Sequence, residues 1–304
     1  MSQSNSILIQ VPATTANLGS GFDCIGTALS LYNQFEFSLS NNDKTTFQVI
    51  GDGADKISLK EDNLLYQSFL HFYQHINLTP PAIDTKISIN VPLARGLGSS
   101  ATAIVAGLLA ANYFSTQKLS QDDLINLAIA IEGHPDNVVP AFLGNCILSV
   151  GEDSKWHFVP ITSNPDIKFI VAIPNFELST EAARAVLPKQ LSYSDAIFNI
   201  AHLGLLIKGL ETGNPDWLTE ALKDKLHQPY RKSLITGYDD IYEAVIKAKG
   251  YGMVISGAGP SLLALSSSLY ADDVINAMKN TWQNIGIKAD VKSLNLDTQG
   301  ATIE

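Results

Sequence analysis

The sequence predicts an α+β protein built from two layers of strands and helices. Segments with strand-like alternation and segments with helical spacing follow one another along the 304 residues, which is typical of mixed α and β architectures. The chain is long for one domain and ordinary for two, because a domain usually has ~100–200 residues. With 45% hydrophobic and 16% charged residues, its composition indicates a globular protein with a sizeable core.

In the first half of the chain, strands and helices are separated by loops rich in Gly, Asn, Thr and Ser. Alternation of apolar and polar residues predicts strands, and helical spacing of apolar residues predicts helices. The predicted strands are 6–12, 27–40, 45–50 and 86–91, and the predicted helices are 62–76, 101–112 and 120–132. A turn composition at residues 41–44 predicts a hairpin between the second and third strands.

In the second half, the same patterns continue without an internal repeat. The predicted strands are 168–174 and 251–256, and the predicted helices are 195–210, 216–226 and 271–284. Residues 151–165 have little regular pattern, so we place a domain boundary there. We expect domains at residues 1–155 and 156–304, with the last strand returning to the first domain.

Several classes of protein are excluded by composition. The longest stretch with almost no polar residue, 101–111, is far shorter than the ~20 residues of a membrane span. Residues 1–6 carry no Lys or Arg, so they lack the basic start of a secretory signal. Cys24 and Cys146 are far apart and have no zinc-ligand spacing around them. We therefore expect a cytoplasmic protein without a membrane segment, a disulfide framework or structural zinc.

The charge balance restricts the ligands. A net charge of −10 argues against a general nucleic-acid binder, which needs a basic face. Of the 20 basic residues 17 are Lys, and the three Arg are Arg95, Arg184 and Arg231. These Arg are either surface residues or groups placed where a planar fork binds carboxylate or phosphate.

The strongest chemical signal is a glycine-rich loop, residues 95–100, between a predicted strand and an alanine-rich helix. A helix start exposes backbone N–H groups and glycines let a phosphate approach the main chain, so this loop predicts a phosphate site. The acids at the offset of a dinucleotide loop, Asp122 and Asp123, open a helix instead of ending a strand, and the Lys that a Walker A loop needs is missing. A glycine helix start without a ligand remains the alternative. Ser99 and Ser100 favour a magnesium nucleotide, since Mg²⁺ takes oxygen ligands beside phosphates.

A polar cluster follows the predicted helix 120–132. Four polar side chains fall within six residues: Glu132, His134, Asp136 and Asn137. Because Gly133 and Pro135 prevent the helix from continuing, we expect a turn in which one carboxylate reaches a metal and another holds a substrate hydroxyl. The alternative is an ordinary solvated helix C-terminus with His at the negative end of the dipole.

Two further segments are rich in glycine. Residues 12–23 contain Gly19 and Gly21, which permit close approach or positive φ, and we expect Asn17 and Asp23 to point inward there. Residues 257–261 follow an apolar strand. Taken alone, they predict a tight turn.

Together, these segments resemble the motifs of the GHMP kinases, ATP-dependent kinases of small molecules, in the same chain order. Residues 92–101 are similar to the family's phosphate loop and residues 257–261 to its third motif. Residues 16–23 and 134–138 are similar to the branch that phosphorylates the hydroxyl of L-homoserine. The resemblance spans the chain and implies an N-terminal nucleotide domain like ribosomal protein S5, a ferredoxin-like C-terminal domain, and an active site between them.

The resemblance implies a site for ATP and Mg²⁺. It places Asn63 near the adenine and assigns ATP binding to the loop residues Pro92, Leu93, Ala94, Arg95, Gly96, Leu97, Gly98, Ser99, Ser100, Ala101 and Thr102. Thr102 stands where Ala is commoner in the family. Mg²⁺ would be held by Glu132 together with either Ser99 or Ser100, and the resemblance does not decide between the two serines.

The resemblance also implies transfer of phosphate from ATP to L-homoserine, giving O-phospho-L-homoserine on the route to threonine. The substrate carboxylate suits Arg184 and Arg231, and its ammonium suits Asp136. Asp23 would align the hydroxyl or act as a general base, and both roles are left open. The implied catalytic residues are Asp23, Glu132 and Asp136, and the implied substrate-binding residues are Asn17, Asp23, His134, Asp136, Thr180, Arg184, Arg231 and Gly259.

Two alternative functions remain, one a different kinase activity and the other a non-catalytic role. Another GHMP kinase, of the mevalonate type, would share the phosphate loop but not the loop at residues 16–23 or both substrate arginines. A non-catalytic ligand sensor would be expected to lose the metal ligand Glu132, which is present. A homodimer is compatible with each interpretation.

Overall fold

The structure, a computed structural model, describes residues 5–152 and 155–304. The undescribed residues 1–4 belong to the N-terminal segment that lacks signal-like charges, and residues 153–154 belong to the predicted boundary segment. The described residues form two β-sheets with helices packed against them, which confirms the α+β class.

The larger sheet carries the first part of the chain. Its strands are β1 (Ser6–Ala16), β2 (Ile25–Leu39), β3 (Thr46–Gly51), β4 (Ile83–Ile89), β5 (Cys146–Glu152), β6 (Lys155–Ile161) and β11 (Thr302–Ile303). The order is β11-β1-β2-β4-β3, with β5 paired to β2 and β6 to β5. The last strand thus lies beside the first, with Ile303 opposite Ile9.

The predicted hairpin between the second and third strands is wrong. β3 pairs in parallel with β4, which is inserted between β2 and β3. The turn composition at residues 41–44 correctly reverses the chain, but it carries no information about which strand becomes the neighbour. Ile83, Ile87 and Ile89 of β4 belong to the core of the larger sheet, so the apolar face of β4 lies against that core.

The expectation of little regular structure at residues 151–165 is also wrong. β6 occupies residues 155–161 of this segment and pairs antiparallel with β5, which ends at Glu152. Trp156 and Phe158 alternate with exposed residues and pack against the core of the larger sheet, which is the pattern of a half-buried edge strand. The predicted domain boundary at 155/156 falls at the start of this strand and stays a prediction.

Four helices cover the larger sheet: α1 (Leu64–His75), α2 (Ser99–Phe114), α3 (Gln121–Glu132) and α4 (Pro135–Leu143). Ser120 and Asp123 form a capping box at the start of α3, and Gly133 ends it with φ of 90°, as the αL conformation favours. Pro135 then begins α4, where its missing N–H costs nothing. The predicted turn is therefore only two residues long, and Asp136 lies in the first turn of a new helix.

The smaller sheet has the order β10-β7-β9-β8. Its strands are β7 (Ile167–Pro174), β8 (Gly252–Ile255), β9 (Leu262–Ser267) and β10 (Ala289–Leu294). The accompanying helices are α5 (Thr180–Ala185), α6 (Tyr193–Thr212), α7 (Pro215–Ala221), α8 (Gln228–Arg231), α9 (Tyr238–Lys247) and α10 (Ala271–Asn284). The predicted helix 216–226 ends early, because the chain turns after Leu222 to begin α8.

An apolar core joins the two sheets. Ala13 and Leu18 from the first part of the chain pack in one cluster with Val254 and Leu263 of the smaller sheet. Apolar residues from both sheets therefore anchor the loops at this junction. Both cysteines are free thiols, and no helix in the described ranges is both long and apolar enough to cross a membrane.

Candidate active site

The predicted functional segments meet around one cavity of about 370 Å³ at the junction of the two sheets. We call it the central cavity. Every predicted substrate-binding residue lines it: Asn17, Asp23, His134, Asp136, Thr180, Arg184, Arg231 and Gly259. A larger depression of about 590 Å³ lies on strands of the larger sheet and contains none of the predicted site residues.

The glycine-rich loop forms one wall of the central cavity and leads into α2. Gly98, with φ of 66°, is the N-cap of α2, and Ser99 and Ser100 are its first two residues. A Cβ on Gly96 would lie 2.2 Å from the carbonyl oxygen of Ser256, so only glycine fits there. The helix start directs N–H groups and the positive end of its dipole to the cavity side of the loop.

The third motif braces this loop. It connects β8 to β9, which confirms the predicted tight turn. The hydroxyl of Ser256 donates to the carbonyl of Gly96 at 2.7 Å and lies 2.9 Å from the hydroxyl of Thr15. The amide of Ser261 donates to the carbonyl of Arg95 at 3.3 Å. The smaller sheet therefore fixes the position of the loop that follows β4 of the larger sheet.

A second cavity, of about 410 Å³, adjoins the loop beside α1. We call it the α1 cavity. Its lining includes Asn63, Leu93, Ala94, Ser99, Ser100 and Thr102. Asn63 is buried and caps α1 by accepting from the amide of Leu65 at 3.0 Å. The two cavities share the serines, so a ligand that fills the α1 cavity reaches the central cavity along the loop.

The other predicted loop residues play different parts. Leu97 and Ala101 are buried in the core, and Pro92 lines neither cavity. The hydroxyl of Thr102 donates to the carbonyl of Ser99 at 2.8 Å and accepts from Asn33 at 2.9 Å. The less common Thr thus adds a tie between the helix start and β2. Arg95 donates to the carbonyls of Pro174 and Leu93.

Glu132 and Ser100 form the oxygen pair that suits a cation. The hydroxyl of Ser100 donates to Glu132 Oε1 at 2.9 Å, and both residues line the central cavity. Burial raises the pKa of Glu132, although the hydrogen bond from Ser100 opposes this shift. No group of three or more His, Cys, Asp or Glu side chains forms a metal site in the described residues. Two protein oxygens still fit Mg²⁺, which takes its other ligands from phosphates and water.

His134 and Asp136 lie next to this pair. His134 Nδ1 hydrogen-bonds to Oδ1 of Asp136, whose side chain is buried. Burial lowers the pKa of His134, but the hydrogen bond and the charges of Asp136, Glu132 and Asp23 outweigh it, so the pKa is raised. Asn137 extends the network by accepting from the hydroxyl of Thr14 at 2.8 Å.

Asp23 and Asn17 are held by the loop between β1 and β2. Both have positive φ, 56° and 76°, conformations that Asn and Asp tolerate better than most residues. Asn17 donates to the carbonyl of Gly257 at 2.9 Å and accepts from the amide of Asp23 at 3.0 Å. Asp23 accepts two hydrogen bonds from the guanidinium of Arg184, both at 3.1 Å.

Arg231 is the deepest cation of the central cavity, with 2% of its surface exposed. It donates from Nε to the carbonyl of Ala183 at 3.0 Å and from Nη1 to that of Gly257 at 3.1 Å. Its guanidinium lies 5.1 Å from the centre of the Phe22 ring, and that of Arg184 lies 6.0 Å from it. Burial and the charge of Arg184 lower the pKa of Arg231.

The comparisons with known proteins all identify the same family. Models of the GHMP kinases N terminal domain and the GHMP kinases C terminal domain match residues 63–145 and 206–284. The homoserine kinase of Crocosphaera subtropica is 58% identical over 301 residues, covering 98% of each chain. That of Nostoc punctiforme is 57% identical over 99% of each chain. The chain belongs to the homoserine kinase family.

Solved structures extend the likeness to the fold. The homoserine kinase of Cytophaga hutchinsonii superposes with a TM-score of 0.90 at 30% identity, covering 100% of this chain and 99% of the other. A mevalonate kinase superposes with a TM-score of 0.71 at 14% identity over 96% and 99% of the chains, which reflects the fold alone. These findings confirm the GHMP kinase fold of a homoserine kinase family member, with its N-terminal and C-terminal domains.

Sequence reasoning missed some residues of this homoserine kinase family site. Phe22 stands between motif residues, yet its ring was not recognised as the surface against which two arginines lie. Ser256 directly precedes the third motif, and its small polar side chain at the end of an apolar strand was the available signal. Asn137 belongs to the predicted polar cluster, but its hydrogen bond from Thr14 was not predicted. The two partners are 123 residues apart, and a single sequence does not reveal such pairs.

Proposed function

We propose that this protein transfers the γ-phosphoryl group of ATP to the hydroxyl of L-homoserine, giving O-phospho-L-homoserine as a step toward threonine. The observation that carries the proposal is the central cavity, where a phosphate-type loop faces two arginines, Asp23 and Asn17. The central cavity therefore contains anion-binding groups both for the phosphates of a nucleotide and for the carboxylate of an amino acid. The membership in the homoserine kinase family supports the same substrate.

The nucleotide occupies the α1 cavity and the loop. Asn63 lies near the base, and the start of α2 binds the phosphates through N–H groups and the helix dipole. Ser99 or Ser100 and Glu132 hold Mg²⁺, which neutralises phosphate charge when bound. Arg95 is largely engaged in ties to backbone carbonyls, so its part is to hold the loop in place.

The amino-acid substrate lies against the opposite wall. Arg231 and Arg184 bind its carboxylate, for which a guanidinium fork is suited, and the acid Asp136 faces its ammonium. Thr180, Gly259 and His134 complete the wall. Two N–H groups of Arg184 already donate to the Asp23 carboxylate. Its remaining lone pairs accept a hydrogen bond from the substrate hydroxyl. This arrangement favours alignment of the hydroxyl for in-line transfer, which is what phosphoryl transfer chiefly requires.

A coupled ADP-release assay with L-homoserine, L-serine and mevalonate tests the proposal. We expect turnover that depends on L-homoserine, and ³¹P NMR should identify a phosphomonoester on its hydroxyl. Preference for mevalonate would assign the chain to another GHMP kinase activity. Binding of L-homoserine without turnover in the presence of ATP and Mg²⁺ would instead indicate a sensor. Cytoplasmic location and a homodimer stay predictions.

A further inference from the structure

Asp224 is a carboxylate outside the central cavity, yet its side chain is fully enclosed. It lies in the connection between α7 and α8. Burying a carboxylate is costly unless hydrogen bonds replace its water. The groups that hydrogen-bond to Asp224 therefore indicate what its carboxylate does.

Asp224 accepts four hydrogen bonds. Oδ1 accepts from Asn199 Nδ2 at 2.8 Å and from the amide of Leu226 at 2.9 Å. Oδ2 accepts from the amides of His227 at 2.9 Å and Gln228 at 2.7 Å. Three of these donors are consecutive backbone N–H groups, so the carboxylate fixes the backbone that enters α8.

The orientation of Arg231 depends on this entry. α8 is four residues long and ends at Arg231, and a helix of one turn is not stable without outside contacts. Gln228 supplies a second anchor, accepting from the amide of Ile255 at 3.0 Å and donating to the carbonyl of Leu222 at 3.3 Å. Asp224 and Gln228 thus set the direction from which the Arg231 side chain reaches the cavity.

The same turn also holds the loop that carries Asp23. His227 is fully buried and stacks on Phe22 with ring centres 5.0 Å apart. Its Nε2 lies 3.0 Å from the carbonyl of Gly19 and donates to it. The Phe22 ring lies against the guanidinium of Arg231. His227, whose amide Asp224 holds, therefore accepts from the amide of Arg231 at 3.0 Å through its carbonyl and stacks its ring on Phe22, the aromatic neighbour of Arg231.

We propose that Asp224 is a positioning residue of the amino-acid site, which fixes the start of α8 and thereby places the guanidinium of Arg231 against the substrate carboxylate. The inference rests on the proposed function and adds a residue that touches neither substrate nor nucleotide. It acts through Arg231. Its loss should weaken the binding of L-homoserine selectively, because the nucleotide loop has other supports.

The test is Asp224→Asn, which keeps the shape of the side chain but removes its charge and turns one acceptor into a donor that faces backbone N–H groups. We expect the KM for L-homoserine to rise about tenfold or more. The KM for ATP should stay within about twofold of the wild-type value, since the phosphate loop is unchanged. Circular dichroism and thermal unfolding verify that the variant folds.

Asp297→Asn is the matched control. Asp297 is also a buried carboxylate, and it accepts from the hydroxyl of Tyr32 and the amides of Gln299 and Gly300. It lies outside the lining of the central cavity. We expect this variant to lose thermal stability while its KM for L-homoserine stays unchanged.

Asn199→Ala provides a second variant, which removes one of the four hydrogen bonds to Asp224 and the acceptor for the amide of Lys225 but leaves the three backbone donors. We expect a smaller rise in the KM for L-homoserine. Equal rises in both KM values in Asp224→Asn, or the same rise in Asp297→Asn, would overturn the proposal. If Asp224→Asn does not fold, an unchanged KM for L-homoserine in Asn199→Ala overturns it. A wild-type protein inactive on L-homoserine would overturn the proposed function, and this inference with it.

Discussion

Arg184 donates two hydrogen bonds to the carboxylate of Asp23, from Nη1 and Nη2, each 3.1 Å long. The two residues are 161 positions apart in sequence, and their side chains are 40% and 35% exposed. A residue expected to bind the substrate carboxylate thus also holds the residue expected to meet the substrate hydroxyl. In the proposed function, this ion pair would couple binding at one end of the substrate to alignment at the other.

Asp23→Asn tests how the hydroxyl is handled. An amide keeps one acceptor and the shape of the side chain but loses the charge, so a positioning role predicts a modest loss of kcat and an unchanged pH profile. The measurement is kcat against pH for both proteins at saturating substrates. A loss beyond roughly a thousandfold together with disappearance of the acidic limb would instead establish proton transfer by Asp23.

Arg231→Lys tests carboxylate recognition. An ammonium cannot reproduce a bidentate fork, so we expect the KM for L-homoserine to rise about tenfold to a hundredfold, with little change in the KM for ATP. Arg184→Lys should raise the same KM and also lower kcat, because it loosens Asp23. Steady-state kinetics with each substrate varied in turn separate the two patterns. Equal changes in both KM values would point to a phosphate role or to misfolding.

Glu132→Gln tests the cation site. Removing the charge while keeping the shape should lower kcat about a hundredfold or more and raise the Mg²⁺ concentration needed for half-maximal rate. The measurement is initial rate against Mg²⁺ at saturating ATP and L-homoserine. Glu243→Gln on the exposed face of α9 is the control and should behave like wild type. Wild-type kcat in Glu132→Gln would contradict the assignment.

His134 should make stability depend on pH. Its pKa is raised in the folded protein above the ordinary value of 6.5, because the hydrogen bond with Asp136 and the nearby acidic charges outweigh burial. The resulting stabilisation is fully present below about pH 6.5 and is lost as the pH rises through the folded pKa.

His134→Gln should therefore lower the free energy of unfolding more at pH 5.5 than at pH 8.5, measured by urea denaturation. The exposed His71 on α1 serves as the control, and His71→Gln should show no such difference. An equal effect of His134→Gln at both pH values would contradict the prediction.

Patterns that depend on neighbouring residues were predictable from the sequence. The helical spacing of apolar positions in residues 271–284 predicts the bounds that α10 has in the structure. The glycine-rich loop and the start of α2 are equally local, because a phosphate-type loop needs glycines and helix N–H groups within a few residues. Helix α4 was missed, because Gly133 and Pro135 were interpreted as ending regular structure, although Pro is favoured at a helix start.

By itself, the sequence determined the fold class, the phosphate-type loop, the polar cluster after α3 and the predicted substrate-binding residues, all of which line the central cavity. The tertiary structure decided which of these residues pair: Arg184 with Asp23, Ser256 with Gly96, and Asp224 with the backbone before Arg231. It also decided that β4 lies between β2 and β3. The physical reason is that side-chain chemistry and turn preference act over a few residues, whereas these pairings exist only after the shared core has brought distant segments within hydrogen-bond distance.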